Sequence, residues 1–163
     1  MRKFLLLFMA LSLVTFVGCG TSDSSGVGID EYIVTINGTD YRVSTMWGSA
    51  GGWWIDYDGI GRGDFTLSVL DDKNWIDEYD FDFISSVVPD IGDDLAYMDL
   101  ELISRYSYYK KLLYRSGSVV ITGRDEYSLI LKFKNLRMGD GDEEYTFDGV
   151  AMVPFDVYQP IDN

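Results

Sequence analysis

Four tryptophans, Trp47, Trp53, Trp54 and Trp75, fall within 29 positions of a 163-residue chain. Indole rings near carboxylates stack on the apolar faces of sugar rings, and they also anchor protein interfaces. Trp53 and Trp54 are adjacent, and successive residues of a strand point to opposite faces. One of the two is therefore expected to face outward or lie beneath a loop or second layer. All four are candidate ligand-binding residues, and a structural aromatic cluster is the alternative reading.

Acidic residues form three further groups. Asp56, Asp58 and Asp64 flank Gly59, Gly61 and Gly63; Asp90, Asp93 and Asp94 form the second; Asp140, Asp142, Glu143 and Glu144 form the third. Calcium takes six to eight oxygens from loops of this kind. The third group begins Asp-x-Asp-x-Glu, but Tyr145 occupies the glycine position of an EF-hand loop and no Glu falls at the twelfth position. Solvated loops are the expected reading, and no metal site is assigned. A pair of carboxylates could also cleave a glycosidic bond. With 27 acidic residues, some pair meets any loose criterion, so no catalytic residue is assigned and the chain is expected not to be an enzyme.

Composition narrows the chemistry further. The chain has no histidine, which excludes serine–histidine, cysteine–histidine and histidine–zinc sites. Its single cysteine excludes an intramolecular disulfide and a cysteine-based zinc site. No cofactor is expected. Thirteen basic against 27 acidic residues give a formal charge of -14, a surface that repels phosphate backbones, so nucleic acid is not an expected partner. The charge is uneven. Residues 56–101 hold 14 acids and two bases, whereas residues 105–137 hold eight bases, among them Lys110 and Lys111 within a set formed by Tyr106, Tyr108, Tyr109 and Tyr114. Cross-strand charge pairing and an edge strand guarded by lysines account for this, as would a bipolar or aromatic–basic binding surface.

The single cysteine has a specific setting. Arg2 and Lys3 precede an uncharged, mostly apolar run over 4–17, too short to span a bilayer and of the length of a signal peptide's apolar region. Phe16-Val17-Gly18-Cys19 follows, and it resembles the lipobox of bacterial lipoprotein precursors, with Phe16 where leucine is usual. The resemblance implies that residues 1–18 are removed and that Cys19 becomes the lipidated first residue, its acyl chains inserted in a membrane. Two or more chains anchor stably where one is marginal. It also implies an outer-membrane location in a Gram-negative cell, because Gly20 stands where an aspartate commonly retains such proteins in the inner membrane.

These residues must be positioned by the rest of the chain. Small polar residues over 19–29 predict a flexible tether with a reach on the order of 15–20 Å. Residues 30–163 are expected to form one all-β domain, a β-sandwich or barrel-like fold of seven to nine strands. Asn37-Gly38 between β-branched runs predicts a hairpin in which Ile36 faces Thr39, Val34 faces Tyr41 and Tyr32 faces Val43. Period-two alternation predicts further strands at 53–57, 65–69, 75–84, 98–103, 118–122, 128–134 and 145–155, with a glycine-rich loop over 58–63. The expected function is a tethered, non-catalytic binding domain for a glycan or an envelope protein. A lipocalin-like carrier of an apolar ligand and an acid-pair hydrolase are the alternatives.

Overall fold

The computed structural model describes residues 32–44, 51–73, 75–104 and 109–158. Cys19, the tether and Trp47 lie outside them. The predicted hairpin forms: β1 (Ile33–Ile36) and β2 (Thr39–Val43) pair with Ile36 opposite Thr39 and Val34 opposite Tyr41, and the Val43 N–H donates to the Tyr32 carbonyl. Asn37 and Gly38 both have positive φ, as a tight turn between right-twisted strands requires. Val34 and Ile36 are buried.

Seven more strands follow: β3 (Gly51–Ile55), β4 (Gly61–Leu70), β5 (Ile76–Ile84), β6 (Glu101–Ser104), β7 (Lys110–Arg124), β8 (Ser128–Gly139) and β9 (Glu144–Val157). The fold is all-β, with one short 3-10 turn at Leu95–Tyr97 among the described residues. From β4 to β9 each strand pairs antiparallel with the next. The space between β9 and β4 is bridged twice. The hairpin joins them through β1 on β9 and β2 on β4. β3 joins them by an antiparallel ladder to β4 and a parallel one to β9. The sheet thus returns on itself.

Its interior is filled by side chains. Phe65, Phe81, Phe83, Phe133 and Phe147 are fully buried. Phe81 stacks on Phe65 at 4.7 Å and meets Phe147 edge-on at 5.4 Å. Each such ring contributes about 1.5–3 kcal/mol relative to leaving it in water.

Several boundaries differ from the sequence expectation. β3 stops at Ile55 because Asp56 begins a turn: its N–H donates to the Ile60 carbonyl and its carboxylate accepts from the Tyr57 N–H. Gly61 and Gly63, expected in a loop, lie inside β4. A Cβ at Gly61 would stand 1.9 Å from the Ser85 carbonyl oxygen, and one at Gly63 would stand 2.2 Å from the Phe83 ring. β5 begins after Trp75, whose backbone N–H donates to the Asp71 carboxylate in the preceding turn. β6 begins at Glu101, after Asp99 at positive φ. β7 and β8 run well past the expected 118–122 and 128–134 because bulges absorb the breaks in alternation, at Tyr114–Ser118 and at Phe133–Leu136.

Candidate functional site

β3 presents its two tryptophans to opposite sides. Trp53 points into the core, 7% exposed, and its indole N–H donates to the Ser85 carbonyl at 3.1 Å. It belongs to the structural cluster and offers no face to a ligand. Trp54 points outward and is half-buried. Trp75 is 71% exposed but stands at the far end of β5 from Trp54: Ile76 pairs with Leu70, whereas Ile84 pairs with Arg62, the partner of Trp54. Eight residues of strand separate those two ends, on the order of 26 Å. Trp53, Trp54 and Trp75 therefore do not form one platform.

Strand register builds a different surface around Trp54. Trp54, Arg62 and Ile84 are successive cross-strand neighbours on the outer side of β3, β4 and β5. One step along the strands, Gly52, Asp64, Asp82, Glu101 and Leu113 form a second row across β3 to β7. The parallel ladder of β3 and β9 carries on into Tyr158, whose N–H donates to the Trp53 carbonyl. The Tyr158 ring lies on Gly52 so closely that a Cβ there would stand 2.4 Å from it. Gly52 is thus the position where a missing side chain makes room for an aromatic one.

Between these rows opens a groove of about 250 Å³, lined by Trp54, Arg62, Asp82, Ile84, Glu101 and Lys111 among others. Gly63 and Phe83 also line it.

Charge in the groove is unevenly satisfied. Arg62 binds the Asp56 carboxylate at 2.7 Å and reaches Asp58 at 3.3 Å, which raises the guanidinium; the Tyr57 backbone N–H first, and Arg62 after it, draw the Asp56 carboxyl below its ordinary value. Lys111 is ion-paired with Glu101. Asp64 accepts from the Gly52 N–H at 2.8 Å. Asp82 takes part in no hydrogen bond or ion pair among the described residues, although Lys111 acts on it through space. Burial pushes both the Asp64 and Asp82 carboxyls above the usual carboxylate value, and nearby acids add to the shift, Asp80 for Asp64 and first Asp64 for Asp82.

The other acidic groups are used within the fold. Asp94 accepts from the Ala96 N–H at 3.0 Å and the Val119 N–H at 2.9 Å, tying the 3-10 turn to β7. Asp140 accepts from the N–H groups of Asp142 and Glu143 and pairs with Lys110 at 2.7 Å, which pulls its carboxyl down to about 2. No group of three or more His, Cys, Asp or Glu side chains able to hold a metal ion occurs among the described residues. In the tyrosine–lysine segment, Tyr109 is exposed and Tyr114 donates to the Gly117 carbonyl. Both lysines there are ion-paired, and Tyr106 and Tyr108 lie outside the described residues.

Asp64, Asp82, Glu101, Arg62, Lys111 and Tyr158 were not singled out as a site from the sequence. Asp82 falls in the strand expected over 75–84, but its neighbours come from four other strands. No protein-family model matches the chain, and no curated protein or solved structure matches it.

Proposed function

We propose that the chain is a cell-envelope binding module, held at a membrane by lipid on Cys19, whose folded domain recognises a glycan in the groove over β3 to β7. The observation that supports this most is Trp54, half-exposed beside Asp82 and Glu101 in an open groove. A sugar offers C–H groups on one face and hydroxyls around its edge. An indole takes the first, while carboxylates and the cations beside them take the second. Trp53 keeps this strand rigid from beneath, so little ordering is left for the ligand to impose.

A protein component of the envelope is the second reading. Trp75, exposed beside the partly exposed Ile76, favours it as an interface anchor. The lipocalin-like alternative draws no support from the interior, which phenylalanine side chains fill. Acid-pair hydrolysis draws none from Asp64 and Asp82, which stand side by side on one face with Asp64 already engaged by Gly52.

A glycan array probed with the full chain tests the proposal. The expected result is a bound set that is lost in Trp54→Ala and kept in Trp75→Ala. Binding to no glycan, or loss only in Trp75→Ala, contradicts it.

A further inference from the structure

We infer that the saccharide taken by this groove carries a protonated amine, seated against the Asp82 carboxylate with the sugar ring on Trp54. The inference rests on the glycan reading above and names the class of sugar.

Among the described residues two cations line the groove, and both are committed. Arg62 is held by Asp56 and Asp58, and Lys111 by Glu101. Asp82 bonds to neither of its cross-strand neighbours: acidic Asp64 stands directly opposite on β4, and Glu101, already paired with Lys111, stands opposite on β6, with Lys111 offsetting part of the field from Asp64. Asp80, on its own strand, adds to the same field, and Asp99 lines the same groove. Like charges opposite one another across strands are repulsive. A neutral sugar leaves that repulsion as it is, and a uronic or other acidic sugar increases it. An ammonium group relieves it, because a charge-assisted hydrogen bond to a carboxylate is roughly twice as strong as a neutral one. The aromatic wall acts in the same direction, since an indole face attracts a cation nearby. The acidic row alone would not select a ligand. The adjoining indole wall and the open volume beside Asp82 make it a site shaped for a ring with a cationic substituent.

The test compares tetramers of glucosamine with tetramers of N-acetylglucosamine, titrated calorimetrically into the full chain in detergent micelles. The two share ring faces and hydroxyls and differ in the amine. Glucosamine tetramers are expected to bind about tenfold more tightly, the equivalent of one added charge-assisted contact. That preference is expected to shrink at high salt. Asp82→Asn is expected to bind the two alike, and Trp54→Ala to lose both. Equal affinity of the wild-type chain for the two tetramers overturns the amine assignment and leaves the glycan reading standing. Binding of the acetylated tetramer alone does the same. Binding of neither overturns both.

Discussion

Asp64 on β4 and Asp82 on β5 stand directly opposite one another on the outer side of the sheet, and the fold holds both carboxyls above the ordinary carboxylate range. Burial is the larger cause for each, and mutual charge adds to it at Asp82. A sheet selected for stability alone would separate such a pair or place a lysine between them. Keeping them adjacent costs stability, and the proposed amine would relieve it.

Asp82→Asn is therefore expected to stabilise the chain at neutral pH while weakening ligand binding, the trade-off found where a site holds unrelieved charge. The gain is modest, about 0.5 kcal/mol, because solvent screens a half-exposed pair. Its pH dependence has a definite sign. The folded carboxyl titrates above the unfolded value of 3.8, so the folded state binds the extra proton and its penalty appears as pH rises through the folded pKa. Denaturant melts of variant and wild type should differ at pH 7 and converge as the pH falls below 4. An Asp82→Asn variant less stable than wild type at pH 7 would contradict this.

The two adjacent tryptophans should separate fold from function. Trp53→Phe removes the indole donor and strands the Ser85 carbonyl in the core, at a cost of about 1–3 kcal/mol. Trp54→Ala removes an outward ring and should change stability by only about 0.5 kcal/mol. Chemical denaturation measures the first effect and glycan titration the second. Equal destabilisation by the two substitutions would show that Trp54 is part of the core.

Lys110 and Asp140 test the acid side of the stability curve. The ion pair and two backbone N–H donors pull the Asp140 carboxyl down to about 2, so its contribution is complete above 3.8 and is lost as pH falls toward about 2. Lys110→Met should lower stability at neutral pH, and the difference from wild type should close across that window. A constant difference from pH 7 to pH 2 would mean that packing, not charge, accounts for the effect.

The proposed anchoring at Cys19 predicts that Cys19→Ser moves the chain from the membrane fraction to the soluble fraction of its host, and that mass spectrometry finds acyl adducts on the wild type and none on the variant. Two or more chains hold stably and none holds at all. An unmodified thiol in the wild-type protein would remove the envelope from the account.

How much of this was legible in the sequence follows from the range of the interactions. The hairpin at Asn37–Gly38 was legible because its turn, register and buried face are set by residues within about six positions. The strand that carries Tyr79, Phe81 and Phe83 was legible from period-two alternation, and the structure buries all three. Gly61 and Gly63 read as loop because glycine is a turn residue, whereas here the reason for glycine is the Ser85 carbonyl and the Phe83 ring, more than 15 residues away. Tyr158 was missed because its position depends on the parallel pairing of β9 with β3, which no local pattern encodes. The groove was missed for the same reason, since Trp54, Asp82, Glu101 and Lys111 sit on four different strands. Trp54 carried a legible signal, as one of two adjacent tryptophans that could not both face the core.

The central claim is that the groove beside Trp54 is where this domain meets its ligand, and indole N–H resonances report on it directly. In an NMR titration of the full chain in detergent micelles with glucosamine tetramers, the Trp54 indole signal is expected to shift with saturable dependence on ligand. The Trp53 signal, locked to the Ser85 carbonyl, should stay in place. A Trp54 resonance that does not move while the ligand binds elsewhere on the chain, or no change in any resonance at saturating tetramer, would contradict the account.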